Sequence, residues 1–160
     1  MRMAAEAGHA IVVKEGLAKL SARRVATDIG YTVGTIYNLF GTHDAFILHV
    51  NALTLDAWFA DLERVVAKRR QALTFGDLAE YYIDYGAAHY HAFMALFEHT
   101  LPPEMPIPEW YVPKMRQFFE FLEGLVLPLV GVSRQPSTFI KVDLPAPFLP
   151  TRHVLSPSMI

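Results

Sequence analysis

Side chains whose types and spacing suit chemistry fall in two places in this chain. The first is His89, His91, Glu98 and His99, the one cluster of metal-ligand types. Seven or eight residues make two helical turns, so His91 shares a helix face with Glu98 or His99. That spacing matches no zinc signature, and the sequence has no cysteine to supply thiolate ligands. Loop and helix-end histidines account for all four, so no metal and no cofactor is expected. The sequence also lacks a Gly-rich phosphate loop, a nucleophile elbow and a paired-carboxylate motif, and the expectation is that the protein is not an enzyme.

The second place is residues 33–40, VGTIYNLF. At 100° per residue, Val33, Ile36 and Phe40 face one way and Gly34, Thr35, Asn38 and Leu39 the other, with Tyr37 at the margin. The second set suits a nucleic acid. Thr35 and Asn38 hydrogen-bond base edges or phosphates, Leu39 meets a thymine methyl, and Gly34 lets the backbones approach. The elements that must position this face are legible on either side. Ser21 is a good N-cap, with Leu20 and Val25 spaced as a hydrophobic staple, so residues 22–29 read as a helix. Gly30 stands where a left-handed C-cap needs no side chain. Tyr31, Thr32 and Ile36 then repeat the staple and cap, which starts a second helix over 33–40. Two short helices joined through a glycine turn form a helix-turn-helix, whose second helix enters the DNA major groove.

Beyond that general pattern, Val25, Ala26, Gly30, Thr32, Gly34, Thr35, Ile36, Tyr37 and Phe40 occupy a specific string, I/V-A-x-x-x-G-x-(S/T)-x-G-T-(I/L)-Y-x-x-F, followed three residues later by a long helix. The string resembles the DNA-binding domain of TetR-family transcriptional regulators. The resemblance implies that Ser21, Arg23, Thr32 and Tyr37 hold phosphates of a double-stranded, palindromic operator while Thr35, Asn38 and Leu39 face bases. It also implies a homodimer and a small apolar effector that releases DNA by shifting the spacing of two recognition helices. A lysine usual in the family at the start of the next helix is His43 here. Imidazole donates a hydrogen bond without a fixed charge, so DNA binding is expected to be weaker and more pH-sensitive. The family's first helix commonly begins several residues earlier with basic residues, so the start of this chain is expected to be clipped.

Composition narrows the remaining classes. With 160 residues, 52% hydrophobic and 19% charged, the chain has the makings of a globular protein with one substantial core. The net charge of −2 is unevenly spread. Residues 1–70 hold nine Lys or Arg against seven Asp or Glu, and residues 71–131 hold only Lys114 and Arg116 against eight acids. A slightly basic front and an acidic back suit a module that puts only its front on DNA. No apolar run reaches membrane-spanning length, Glu6 and His9 interrupt any signal-peptide core, and cysteine is absent, so the expected address is cytoplasmic.

The fold class expected is all-α. A helix over 1–13 ends near Gly16 and braces the helix-turn-helix, with Leu17 and Leu20 entering the core. Thr42 caps a long helix that runs to about Lys68, and its apolar residues spread over more than one stripe, as a connector of two halves requires. Lys68, Arg69 and Arg70 read as a solvated helix end favourable to the dipole. Further helices follow from Thr74 to about Ala88, over 92–99, and from Trp110 to about Leu127, with Pro128 as the stop. The aromatics of this half include Trp58, Tyr82, Tyr85, Phe93, Phe97, Trp110 and Phe118, which are nominated to line an apolar effector cavity.

From Val132 the character changes: Pro136, Pro145, Pro147, Pro150 and Pro157 punctuate a stretch whose one strand-like run is 138–142. TetR-type regulators continue there with apolar dimer helices, so the tail reads as a frameshift and dimerisation is doubtful. The domain organisation expected is a DNA-binding domain over 1–42, an incomplete ligand-binding domain over 43–131 and an irregular tail over 132–160. The function expected is a ligand-released transcriptional repressor. The competing class is a helical protein without regulatory function, a defective remnant or an interaction module lacking dimer helices. A zinc-dependent helical enzyme is a third.

Overall fold

Local capping chemistry divides the chain into helices at the places the sequence marks. A computed structural model describes residues 1–69 and 71–131, and those residues form seven α-helices, one 3-10 turn and no strand. Helix α1 is Arg2–Glu15, followed by the 3-10 turn Leu17–Lys19. Helix α2, Ala22–Asp28, starts where Ser21 Oγ accepts from the Arg24 N–H at 3.2 Å. It ends in a full Schellman motif. The Tyr31 N–H donates to Ala26 O at 2.8 Å and the Gly30 N–H to Thr27 O at 3.3 Å, with Gly30 at φ 74°, a left-handed conformation that costs glycine nothing. Thr32 then caps α3, Val33–Phe40, by accepting from the Thr35 N–H at 3.2 Å. Thr42 caps α4, His43–Lys68, in the same way at 3.0 Å from the Ala45 N–H.

Helices α5, Phe75–Ala88, α6, Tyr90–Glu98, and α7, Val112–Leu129, complete the fold. A reciprocal capping box opens α5: Thr74 Oγ1 accepts from the Asp77 N–H, and Asp77 accepts from the Thr74 N–H at 2.8 Å. Arg69, the residue after α4, reaches across to Asp77 at 2.5 Å, so the basic end of α4 is tied to the start of α5 where a freely solvated end was expected. Several helix limits also differ from the expected ones, among them the start of α7 at Val112 in place of Trp110. Helix α6 begins at Tyr90, two residues early, because the His89 carbonyl accepts from the Phe93 N–H at 2.9 Å and closes one more turn. Helix α7 passes Pro128 to end at Leu129, since the Val130 N–H still reaches Val126 O at 3.2 Å past the proline. The proline-rich tail and its strand-like run 138–142 lie outside the described residues.

Two cores share α4. The first gathers Val12 of α1, Val25 of α2, Ile36 and Phe40 of α3, Phe46 and Val50 of α4, and Ala95 of α6. The second gathers Leu48, Leu55 and Trp58 of α4 with Tyr85 of α5, Phe93 of α6, and Met115 and Phe118 of α7. Neighbouring positions of α4 therefore serve opposite sides, which is why its apolar residues do not form one stripe. Helix α1 crosses α4 closely at Gly8. A Cβ there would sit 2.9 Å from Phe46 Cζ and 2.9 Å from Val50 Cγ2.

Candidate nucleic-acid interface

The α2–α3 pair exposes most of the side chains expected to face DNA. Ser21, Arg23, Thr32, Gly34, Tyr37, Asn38 and His43 are all exposed, while Thr35 and Leu39 are half-buried. Ile36 and Phe40 are buried on the opposite side of α3, so the helix is anchored by two residues one turn apart. Val33 departs from the expected inward position and is 36% exposed. It lies in the first turn, ahead of the point where α3 meets the core. Leu39 also differs from a freely outward residue. It packs against the first core in a shallow groove with Met3, Ala4, Ile29 and Tyr31, so it offers an edge and not a whole face.

The hydroxyls here have partners already. Ser21 and Thr32 accept backbone N–H groups at the two helix starts, and Thr32 Oγ1 lies 3.0 Å from Thr35 Oγ1. Each hydroxyl keeps further hydrogen-bonding capacity, and the caps fix where it points. Next to them Arg24 makes a bidentate pair with Glu15, at 2.8 and 2.6 Å, that ties α2 to the end of α1. The Arg24 hydrogen bonds hold the Glu15 carboxyl below the usual carboxylate range. Arg23, one residue earlier, makes no ion pair among the described residues and leaves its guanidinium exposed. The Glu15–Arg24 tie escaped the sequence reading because it links two elements nine residues apart, outside any single-helix spacing.

The aromatics nominated for an effector cavity divide into two groups. Trp58, Tyr85, Phe93 and Phe118 are buried against one another. Trp58 stacks on Tyr85 with centroids 5.8 Å apart and meets Phe93 at 5.0 Å and Phe118 at 4.5 Å. They fill the second core. Burial pushes the Tyr85 hydroxyl up to about 12, so it stays a neutral phenol. Phe97 is half-buried beside Phe93, centroids 5.2 Å apart. Tyr82 and Trp110 are exposed, Trp110 stacked on His49 at 4.0 Å. Trp110 lines an open hollow of about 310 Å³ and Tyr85 another of about 280 Å³. A smaller enclosed pocket is lined by residues that include Asn51, His99 and Tyr111, none of them nominated from sequence for a ligand cavity.

The four candidate metal ligands go separate ways. His89 lies on Tyr85, centroids 4.4 Å apart, His91 faces Gly16, and His99 turns toward Asp44, while Glu98 is exposed. Among the described residues no three His, Asp or Glu side chains converge on a metal position. No family model matches this sequence, and no curated protein matches it. Among the described residues no helix is long and apolar enough to cross a membrane.

Proposed function

We propose that this chain is a DNA-binding transcriptional regulator of TetR type, a repressor released by a small apolar ligand and working in the cytoplasm. The observation that carries the reading is the exposed polar face of α3. Thr32, Gly34, Tyr37 and Asn38 stand clear of the core beside Ser21 and Arg23 of α2 and His43 of α4. A capped helix of eight residues, anchored by Ile36 and Phe40 and preceded by a glycine turn, is short enough to lie in a major groove. In this reading Ser21, Arg23, Thr32, Tyr37 and His43 meet phosphates and sugars, and Gly34, Thr35, Asn38 and the edge of Leu39 meet bases. The connector α4 joins that surface to the second core, where effector binding would shift the recognition helix.

The operator of such a protein is a palindrome read by two copies, with half-sites about 34–36 Å apart or a multiple of that spacing. Selection from random duplex DNA should therefore recover a palindromic site. Affinity for it should fall linearly on a log–log plot of binding constant against salt, since each neutralised phosphate releases a counterion. A selection that yields no preferred sequence, with binding no stronger than to arbitrary duplex, would refute the proposal in favour of a helical protein without a regulatory role.

A further inference from the structure

Helix α5 carries its apolar residues on the wrong side for a core. Of its 14 residues only Tyr85 is buried. Phe75 is 61% exposed, Tyr82 47% and Ile83 66%, and Ala79 between them is exposed as well. At 100° per residue these four fall within about 100° of one another, so they form a single apolar stripe on the outside of the helix. Glu80 and Asp84, both exposed, lie on the flank beside Ile83. A helix of this length is marginal in water by itself and takes most of its stability from the face it buries. One buried tyrosine and a capping box are little cover for 14 residues, so the stripe calls for a partner.

The chain holds a segment of complementary chemistry. Residues 132–160 follow directly on the described ones and carry Arg134, Lys141 and Arg152 against Asp143 alone, whereas residues 71–131 carry two bases against eight acids. In the middle of that basic stretch lies 144–150, LPAPFLP. Proline fixes φ near about −65°, and proline-rich runs of this kind favour an extended helix that repeats every three residues, about 9.3 Å, and docks on surfaces lined by aromatic side chains. Phe75 and Tyr82 are seven residues apart on a helix, hence about 10.5 Å apart along its axis, close to that repeat. Reach is no obstacle. The chain from Gly131 to Leu144 extends up to about 43 Å, while a compact fold of about 130 residues has a radius of gyration of about 14 Å.

We propose that residues 144–150 dock on the α5 stripe of their own chain, with the prolines and Phe148 against Phe75, Tyr82 and Ile83, and with Lys141 and Arg152 on either side meeting Glu80 and Asp84. A second copy is the poorer occupant, because its own α5 stripe brings two more acids to the pairing and no base. The inference stands apart from the DNA-binding reading: it concerns the back half alone, and its test uses no DNA.

The chain contains no cysteine, so a single introduced one can be labelled alone. Thr151→Cys, just outside the docking run, is given a nitroxide in the full chain, and the relaxation of backbone amides is followed by NMR. Docking raises the effective concentration of the label at α5 above what a linker alone would give, so amides of 75–86 should relax several-fold faster than those of α2 in the other half. Ile83→Asp, a change at an exposed position, should remove that excess. Reversing the flank with Glu80→Lys and Asp84→Lys should lower the ratio of docked to free chains about threefold, and Lys141→Glu with Arg152→Glu in the same chain should restore it. Nitroxide chains are finally mixed with isotope-labelled chains that lack the nitroxide, and the isotope-labelled chains should show no excess relaxation. Equal relaxation of α2 and α5, an excess that survives Ile83→Asp or the charge reversal, or an excess that passes between chains in the mixture, as a second copy on the stripe would produce, would each overturn the proposal.

Discussion

Replacing Gly8 with alanine should destabilise the protein, although helix propensity by itself favours the change. Alanine in a helix interior is better than glycine by roughly 0.8–1.0 kcal/mol. Against that gain stands the crossing of α1 over α4. The new methyl would lie 2.9 Å from Phe46 Cζ, 2.9 Å from Val50 Cγ2 and 3.2 Å from Leu20 Cδ1. None of these neighbours has room to retreat. Phe46 is 1% exposed, Val50 0% and Leu20 6%, and the Phe46 ring is backed by Phe40 at 4.8 Å. Overpacking of this kind typically costs about 1–3 kcal/mol, so the clash outweighs the propensity gain and leaves a net loss on the order of 1 kcal/mol.

Gly124 of α7 is the matched control. It is also helical, but a Cβ there meets no described atom within 4 Å, so Gly124→Ala should gain up to roughly 1 kcal/mol. Urea unfolding followed by helical circular dichroism reads both variants as shifts of the midpoint at constant m. Opposite signs are expected. If Gly8→Ala stabilised the chain as much as Gly124→Ala, the tight α1–α4 crossing would be refuted, and with it the idea that α1 fixes the attitude of the helix-turn-helix through Gly8.

On selected operator DNA, Tyr37→Ala should weaken binding to every sequence alike whereas Asn38→Ala should change the preference among operator variants; equal losses across the panel for both would mean that the two roles are misassigned. His43→Lys should tighten operator binding and steepen the log–log salt slope by about 1, as one added phosphate contact requires; an unchanged slope would place residue 43 away from the DNA. Stability should fall as pH drops below about 6.5, because burial lowers the pKa of His9, His49 and His99 beneath that ordinary value, so the unfolded chain takes up protons that the folded one refuses. Unfolding midpoints at pH 7.5 and 5.5, set by buffer choice, would check this. Asp77 does not confuse the comparison, since its carboxyl is held low by Arg69 and Thr74 and releases its contribution only in stronger acid. Thr32→Ala should cost about 1 kcal/mol through loss of the cap on the Thr35 N–H, visible in the same unfolding experiment.

Features governed by neighbours within a turn or two were legible in the sequence. Ser21, Thr32, Thr42 and Thr74 cap helices where their spacing says they must, and Gly30 takes the left-handed turn between α2 and α3, since a cap and its N–H partner lie three residues apart on one chain. The two-sided apolar pattern of α4 likewise announced two cores before either was seen. Which side chains share a surface depended on contacts between elements far apart in the chain, and helical periodicity carries no information about those. Periodicity turned Val33 inward and Leu39 outward, but the packing of α3 on the core leaves the first exposed and half-buries the second. Aromatic content nominated Trp58, Tyr85, Phe93 and Phe118 for a cavity, and in the structure these rings pack on one another in the second core, with Tyr85 also at the edge of an open hollow. Asn51 carried no local signal at all. Its side chain donates to the Ala95 carbonyl, 44 residues away, a placement decided by the packing of α4 against α6 and not by any spacing along the chain.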